Sequence, residues 1–409
     1  MDLDIFYKQL LGIESPWQVI KTEIDDKTHV ISVYLAHQSG SKFSCSCCGK
    51  TCCVYDHQVL RTWRHLDTCQ YETHLKAKLP RTNCSVCGIK TVLASWSSSF
   101  SRFTDDFECH VIDVLQASQV IKSAALLLRL TDDQVSYLMK KSVQRGVNRR
   151  QAHRGLVDYV AIDEKAYKSG HNYVTILSDA DNGSVLEVVE DRNIESVQQS
   201  YKVLNDKQLA HIKGISMDMW SAFATVSKNL APQAAIVHDR FHLACYLNHA
   251  VDITRRAENK KLLQENNELL KGTKYIWLKN SDNLSEKNKA SLATIRLQES
   301  LKTVQAFELK EDFKQFFQSN TIQQATVFFN RWFEKVTDAK NAPLLKVAQM
   351  FKQHFEGLEN YITHRISNAI AESLNSRIQQ LKVKAKGFGS ASAFRVAILF
   401  HFGKLSIYP

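Results

Sequence analysis

Long apolar runs are missing from this 409-residue chain, since none approaches the roughly 18–20 residues that a membrane-spanning helix needs. Its first stretch, Met1–Ser15, starts with acidic residues and has no hydrophobic segment typical of a secretory signal peptide. We therefore expect a cytoplasmic protein with no membrane partner and with reduced cysteines. A hydrophobic share of 44% and a charged share of 23% are typical of a folded chain, and this length allows two or more domains.

Acidic residues are in deficit. The chain has 42 of them against 53 lysines and arginines, which gives a formal net charge of +11. Such an excess indicates a polyanionic partner, with nucleic acid first and a membrane surface second. On charge alone, a basic protein without such a partner is the alternative.

The ten cysteines are crowded, with eight of them between Cys45 and Cys87. In a reducing compartment this crowding indicates a metal site rather than disulfides. The pairs Cys45-x-x-Cys48 and Cys84-x-x-Cys87 are each followed by glycine, and four thiolates in two short turns are typical of a structural Zn²⁺ site in a zinc ribbon. Other residues leave the exact ligand set open: Cys47, Cys52, Cys53, Cys69 and His57.

Two basic segments are candidates for contact with DNA. Between the cysteine pairs, Arg61, Trp63 and Arg64 combine side chains that stack on bases with side chains that bind phosphates, although a packed strand fits equally well. Residues 105–150 change to a helical period, and Thr131 is the predicted N-cap of the last helix there. Three helices with a basic end predict a helix-turn-helix, with a plain helical spacer as the alternative. The basic residues of the last helix are Lys140, Lys141, Arg145, Arg149 and Arg150, and all of them except Arg145 are predicted DNA contacts.

The next part of the chain predicts a mixed α/β sheet. Strand-like runs occur at Tyr159–Ile162, Tyr173–Leu177 and Val185–Val189, and the Asn-Gly pair before the third is a strong hairpin signal. Helix, strand, helix and strand patterns follow, and this order predicts a sheet with an antiparallel start. From Phe241 to about residue 358 the pattern is helical, with few glycines and prolines.

Three acidic residues stand at special points of this pattern. Asp163 lies in or at the end of a strand that we expect to be central, where a charge is costly unless it is paired or binds a metal. Asp218 ends a later strand, and Glu372 lies on a predicted helix, Arg365–Leu381, away from its apolar stripe. Two such aspartates and a helical glutamate are the ligands that a two-metal phosphoryl-transfer site requires, and Mg²⁺ suits them better than Zn²⁺. A cap, a strand edge or a solvated surface is the alternative for each residue taken singly.

A further cluster follows the last predicted strand of the sheet. Asp239, His242, Cys245 and His249 recur at intervals of one helical turn and so share one helix face. A second metal site is one interpretation of this face. The interpretation that we prefer is that His242 is a structural histidine with satisfied hydrogen bonds.

Taken together and in this order, the motifs resemble those of the DDE transposases of bacterial insertion sequences, specifically the ISL-three group. The resemblance covers nearly the whole chain. It is carried by the two cysteine pairs and by Arg61–Asp67, Ala161–Lys165, Ser216–Trp220, Ala235–His242 and Ser367–Asn375.

The resemblance implies an RNase H-like mixed-sheet catalytic core with an all-helical insertion, preceded by a zinc-ribbon-like module and a helix-turn-helix. Asp163, Asp218 and Glu372 would be catalytic and would bind Mg²⁺ or Mn²⁺, whereas Zn²⁺ would be structural. The implied domains are a zinc-binding module (1–100), a helix-turn-helix (101–152), the first part of the core (153–242), the helical insertion (243–360) and the C-terminal part of the core (361–409).

The resemblance also implies the partners and the reaction. We expect binding to double-stranded DNA at terminal inverted repeats and at the target, strand cleavage and strand transfer, a homodimer or higher oligomer, and a nucleoid-associated location. Lys382, Lys384 and Lys386 would contact phosphates. The alternative is a catalytically inactive DNA-binding regulator derived from a transposase.

Overall fold

The computed structural model describes residues 3–153, 155–170, 172–279, 283–366 and 369–409. The chain forms two compact units, one comprising Met1–Ala152 with Leu405–Pro409 and the other comprising His153–Lys404. Within the described ranges, no helix has both the length and the apolar character needed to cross a bilayer.

The first unit begins with two small sheets. In chain order the elements are α1 (Leu3–Leu10), β1 (Trp17–Asp25), β2 (Val30–His37), β3 (Lys42–Ser44), β4 (Thr51–His57), β5 (Arg61–Arg64), β6 (Glu72–Ala77), β7 (Pro80–Cys84) and β8 (Gly88–Thr91). One sheet has the order β1-β2-β6-β5, with β2 and β6 parallel, and the other has the antiparallel order β3-β4-β7-β8. Alternating side chains of β6, such as Leu75 and Ala77, are buried because successive residues of a strand face opposite sides of the sheet.

Three helices complete the first unit, in the region where the sequence predicts a helix-turn-helix: α2 (Asp105–Ser118), α3 (Ile121–Leu128) and α4 (Asp132–His153). Thr104 caps α2, and the predicted cap Thr131 accepts a hydrogen bond from the Gln134 N–H at 3.2 Å while the Gln134 side chain accepts one from the Thr131 N–H at 2.9 Å. Arg129 ends α3 in the left-handed conformation and so turns the chain sharply into α4.

A buried carboxylate joins α2 to α4. The Glu108 side chain is fully buried, and it accepts hydrogen bonds from the Lys141 ammonium at 2.7 Å and from the Arg145 guanidinium. Two cations therefore compensate one desolvated anion.

The second unit is built around a five-stranded mixed sheet. Its first elements are β9 (Tyr159–Lys168), β10 (Asn172–Asp179), β11 (Ser184–Glu190), α5 (Ile194–Tyr201), α6 (Asp206–His211), β12 (Gly214–Met217), α7 (Ser221–Leu230) and β13 (Ala235–His238). The strand order is β11-β10-β9-β12-β13, in which β9 to β11 are antiparallel and β12 is parallel to both β9 and β13. The predicted mixed sheet with an antiparallel start is therefore present. Helix α6 is not in the predicted pattern.

Strand β9 is longer than the sequence pattern indicates. The apolar run ends at Ile162, but β9 continues to Lys168 because β10 pairs with it along this whole length, with Ile176 opposite Asp163. Asp163 is consequently an internal residue of a central strand.

The remaining elements of the second unit are helical. They are α8 (Arg240–Gln264), α9 (Lys274–Leu278), α10 (Glu286–Arg296), α11 (Lys302–Asp312), a 3₁₀ helix (Phe313–Gln318), α12 (Ile322–Asp338), α13 (Ala342–Gln353), α14 (Phe355–His364), α15 (Ala369–Lys384) and α16 (Ala391–Phe402). Large side chains fill the core between α8 and α14, including Trp277, Phe313, Trp332 and Phe351.

The predicted helix Arg365–Leu381 begins later than expected. Arg365 is the left-handed C-cap of α14, with φ 48°, so it ends one helix rather than starting the next. Ser367 and Asn368 of the third motif lie outside the described residues, and α15 starts at Ala369.

We predict that Glu108→Ala lowers the free energy of unfolding of the first unit by about 3–5 kcal/mol, because it leaves two partly buried cations without their anion. Chemical denaturation, monitored by the hydrogen exchange of backbone amides in α2 and α4, measures this change. The control Glu23→Gln removes an exposed ion pair with Lys21, which is screened by solvent and is expected to contribute little to stability. Equal effects of the two substitutions would contradict the prediction.

His401 on α16 gives the second unit a pH-dependent stability. Burial and, to a smaller extent, the Lys384 charge together lower the pKa of His401 from 6.5 to about 4. The unfolded chain therefore binds the proton first as the pH falls, so stability decreases between about pH 6.5 and pH 4. Relative to His401→Gln, the native chain should lose roughly 2–3 kcal/mol between pH 7 and pH 4.5 in urea titrations. Parallel pH profiles of the two proteins would refute this.

Candidate active site and four-cysteine cluster

Three aspartates lie level with one another at one edge of the mixed sheet, because β12 and β13 end there in register with Asp163 of the parallel strand β9. Ser216 on β12 is opposite Ala161 on β9, so Asp218 lies level with Asp163. Met217 is opposite His238 on β13, which brings Asp239 to the same level. The carboxyl ends of parallel strands commonly form a site of this kind.

An imidazole lies among these three carboxylates. His242 is in the first turn of α8, and Asp239 is the N-cap of that helix, accepting a hydrogen bond from the Phe241 N–H at 2.6 Å. The His242 Nδ1 atom is 3.6 Å from the Asp218 Oδ2 atom. Its Nε2 atom is 3.9 Å from the Asp163 Oδ1 atom and 3.8 Å from the Asp239 Oδ2 atom. One ring therefore borders every aspartate of the edge.

Asp163 is held from two sides. Its Oδ1 atom accepts a hydrogen bond from the Glu164 N–H at 2.8 Å, and its Oδ2 atom accepts one from the Asn375 side chain of α15. Burial raises the pKa of Asp163, and this outweighs the opposing effects of the Glu164 hydrogen bond and of His242. A partly desolvated carboxylate of this kind is a good ligand for a cation.

Asp218 is oriented by its own loop and by α8. The Met219 N–H donates to its Oδ1 atom at 2.7 Å, and the Tyr246 hydroxyl lies 3.3 Å from both carboxylate oxygens. Burial and the negative charge of Asp218 raise the pKa of Tyr246 to about 12, so the phenol keeps its proton and acts as a donor.

Glu372 lies in the first turn of α15 and is exposed. Burial and then the charge of Asp239 raise its pKa, while Arg240 and His242 act in the opposite direction. It is on the same helix face as Asn375, one turn away, because residues three apart are neighbours on a helix. The hydrogen bond from Asn375 to Asp163 therefore brings this face of α15 to the edge that carries the aspartates.

Asp239 and His242 lie at this edge, but neither was assigned a catalytic role from the sequence. The interval between Asp239 and His242 is visible there, but the preferred interpretation of His242 as a structural histidine misses its position among three acids. The sequence does contain a signal for Asp239. The strand Ala235–His238 is followed directly by this aspartate, just as the strand before Asp218 is followed by an aspartate.

The four cysteines of the two predicted pairs form a compact cluster in the first unit. The sulfur atoms of Cys45, Cys48, Cys84 and Cys87 all lie within 4.8 Å of one another, and the Cys48 and Cys84 sulfurs are 3.5 Å apart. Backbone N–H groups of Val86 and Cys87 lower the pKa of Cys84 to about 6. Over the described part of the chain, no other group of three or more candidate ligands is as close together, and that includes the aspartates.

The other cysteines and His57 do not complete this cluster. Cys52 is buried beside it, with its thiol 3.3 Å from the Lys50 carbonyl oxygen, whereas Cys47, Cys53 and Cys69 are exposed. His57 stacks on His37, with its Nε2 atom 2.8 Å from the His37 Nε2 atom.

The ten predicted DNA-binding side chains differ in accessibility. Trp63 is 1% exposed and Arg64 8% exposed, with Arg64 paired to Asp67 at 2.5 Å, so we withdraw both as DNA contacts. Trp63 and Arg64 are therefore packed residues of β5, which is the alternative that the sequence left open. Arg61 lies over the Trp63 ring.

Some of the basic residues of α4 already have polar partners within the chain. Lys141 pairs with Glu108, and Arg149 donates to the carbonyl oxygens of Ser406 and Tyr408, whereas Lys140 is exposed. Arg150 is half-buried.

Two of the three C-terminal lysines, Lys382 and Lys386, line a concave surface. A cavity of about 400 Å³ is bordered by Lys168, Lys382, Lys386 and Gly387, and the Lys382 ammonium donates to the Ala166 carbonyl at 2.7 Å. Lys384 and Lys386 are exposed.

Comparison with known proteins identifies the family. Residues 160–398, more than half of the chain, match the family model of the ISL3 DDE domain, which is described as a transposase. The chain belongs to the ISL3 family of DDE transposases. Residues 41–87 match a second family model, described as the zinc-finger of the transposases of IS204, IS1001, IS1096 and IS1165, and this segment contains all four clustered cysteines.

Curated relatives agree with this assignment. The chain is 26% identical over 378 residues to the transposase for insertion sequence element IS1001 of Bordetella parapertussis, covering 91% of this chain and 92% of that protein. It is also 26% identical over 423 residues to the transposase for insertion sequence element IS1557 of Mycobacterium tuberculosis, covering 95% and 93%. The predicted membership of the ISL3 transposases is thus confirmed.

Proposed function

We propose that this ISL3 transposase binds the terminal inverted repeats of its own insertion sequence and catalyses metal-dependent strand cleavage followed by strand transfer into target DNA. The observation that carries the proposal is the register of β9, β12 and β13, which brings Asp163, Asp218 and Asp239 to one edge. The strand order, with three antiparallel strands and two further parallel ones, supports an RNase H-like core.

The residues at this edge fit a hard divalent cation. Carboxylate oxygens are the ligands that Mg²⁺ and Mn²⁺ prefer, and Asp163 is desolvated enough that burial raises its pKa. Asp163, Asp218 and Glu372 would hold the metal, with Asp239 beside them. When bound, such a cation supplies Lewis-acid stabilisation of phosphoryl oxygens and acidifies an attacking hydroxyl.

The chain's own residues prepare this site. Asn375 and Tyr246 fix the orientation of Asp163 and Asp218 through hydrogen bonds, which leaves less reorganisation for the reaction itself. His242 reduces the repulsion among three nearby carboxylates when it carries a proton. Glu372, which is exposed, would complete the site or accept the proton of the nucleophile.

DNA recognition is assigned to the first unit and to the C-terminal lysines. The zinc ribbon and helices α2 to α4, which we infer to be a helix-turn-helix, would recognise the terminal repeats through the exposed Lys140, with Arg61, Lys141, Arg149 and Arg150 as further candidates. Lys382, Lys384 and Lys386 would bind phosphates, and the concave surface that contains two of them supports this role. Joining two element ends calls for at least two copies of the chain.

We propose that the four-cysteine cluster holds one structural Zn²⁺. A tetrahedral thiolate site is closed to substrate, so its contribution is to fold the ribbon rather than to catalyse. The spacing of the four sulfurs within 4.8 Å supports this assignment.

We predict that Asp218→Asn lowers Mg²⁺-dependent cleavage of a terminal-repeat duplex by at least about 100-fold and leaves the affinity for that duplex unchanged, because the amide removes a charge from the reaction site. Gel assays of cleavage and of binding, run in parallel, measure both effects. Asp206→Asn, an exposed aspartate on α6, is the matched control and should cleave normally. Undiminished cleavage by the Asp218 and Asp163 variants would overturn the site assignment. Tight binding with no cleavage by any form would favour the inactive regulator.

We also predict that the purified chain carries one zinc per chain and that Cys84→Ser loses it and unfolds the ribbon, since metal binding and folding are coupled at such sites. Elemental analysis and protease digestion of residues 41–87 report the two effects. Cys53→Ser, at an exposed cysteine outside the cluster, should retain the metal. Retention of zinc by Cys84→Ser would show that a different ligand set operates.

A further inference from the structure

We propose that Trp220 is a stacking platform for an unpaired base of the DNA end, beside the linkage that is cut, and that Arg192 holds the platform in position. This proposal rests on the proposed function, because the base belongs to the DNA that the three aspartates would act on. It adds a positioning residue outside the acidic cluster.

The position of Trp220 is not explained by the stability of the fold. It is the N-cap of α7 and makes no side-chain capping hydrogen bond. Ser, Thr, Asp and Asn are strongly preferred at such positions because they satisfy the free N–H groups of the first turn. Trp220 is also 41% exposed, so much of its ring area contributes nothing to a core.

A cation fixes this exposed ring from one side. The Arg192 guanidinium carbon lies 4.8 Å from the centre of the Trp220 ring and 4.4 Å from the centre of the Tyr173 ring. Its Nη1 atom donates to both carboxylate oxygens of Glu164, at 2.8 Å and 3.1 Å. Tyr173 and Glu164 therefore define where Arg192 lies, and Arg192 in turn defines the orientation of the indole.

The residues of the platform are close along the chain to two of the three aspartates. Glu164 follows Asp163 directly, and its N–H donates to the Asp163 carboxylate. Trp220 follows Asp218 by two residues, in the short connection between the end of β12 and the start of α7. A phosphodiester at the aspartates would thus have a flanking nucleotide close to the indole.

A DNA base is the occupant whose chemistry fits. Every base has a flat π face that stacks on an indole, whatever its sequence identity. Bases inside a duplex present only their edges, so face-on stacking requires the base to leave the helix. The platform would stabilise that displaced state and so place the adjacent phosphate.

The test is a cycle that combines the substitution Trp220→Ala with removal of one base from the substrate. The substrate is a duplex of the element's own terminal repeat, with a single abasic site placed in turn at each of the two nucleotides on either side of the cleaved linkage. On intact duplex, Trp220→Ala should slow cleavage by about tenfold to a hundredfold, the range expected for loss of one base stack. At one abasic position the two proteins should cleave at nearly the same rate.

Matched variants make the result specific. Trp220→Phe should keep most of the activity because it keeps an aromatic face, whereas Trp220→Leu, which keeps apolar volume, should behave like Trp220→Ala and also serves if the alanine variant does not fold. Tyr275→Ala removes a 65% exposed aromatic from α9 of the same unit and should change nothing.

The outcomes separate this proposal from the proposed function. If Asp218→Asn abolishes cleavage but the loss caused by Trp220→Ala is the same on intact and on all abasic substrates, the platform is wrong and the active site stands. The same conclusion follows if Trp220→Ala cleaves intact duplex at the native rate. If Asp218→Asn cleaves normally, the proposed function itself fails.

Discussion

The constraint on which the second unit depends is the repulsion among three carboxylates that the sheet forces together. Parallel pairing of β9, β12 and β13 in register leaves Asp163, Asp218 and Asp239 at one edge. All three carboxylates lie within 3.9 Å of the His242 ring nitrogens. Like charges gathered in this way destabilise the folded state unless a cation or hydrogen-bond donors compensate them. His242, Asn375 and Tyr246 are the compensating groups, and each contacts one or more of the acids.

This constraint explains why distant parts of the chain are tied to the sheet. His242 and Tyr246 are both on α8, one turn apart, and α8 begins at the cap Asp239. The same helix is then packed into the aromatic core that contains Trp277, Phe313 and Trp332. Helix α15 contributes Asn375 and brings Glu372 with it. Packing far from the edge thereby fixes the positions of groups at the edge.

Much of the fold follows from local patterns in the sequence. Short runs rich in β-branched residues and an Asn-Gly turn are sufficient to predict β10 and β11, and Thr131 is recognisable as a cap. The two Cys-x-x-Cys pairs identify the cluster, but only the structure separates its four sulfurs from the nearby Cys52. Local patterns fail where long-range pairing decides the outcome, as in the extension of β9 beyond Asp163. They also miss the late start of α15, because Arg365 ends the preceding helix instead.

The residues of the site also divide into those that local sequence patterns identify and those that only the pairing of distant strands reveals. Asp163 and Asp218 can be selected from the sequence because each interrupts or ends an apolar strand. Asp239 and His242 become significant only when β13 is known to be the neighbour of β12. Burial is equally long-range: Trp63 and Arg64 resemble a DNA-binding motif in sequence, yet the sheet of the first unit encloses them.

The central claim is that the acids at this edge bind divalent cations next to DNA. The most direct measurement is anomalous scattering from Mn²⁺ in crystals of the full chain bound to a terminal-repeat duplex. The account predicts a manganese peak beside the carboxylates of Asp163 and Asp218, with Glu372 in reach of it. A bound DNA end with manganese elsewhere and none beside those two aspartates would contradict it.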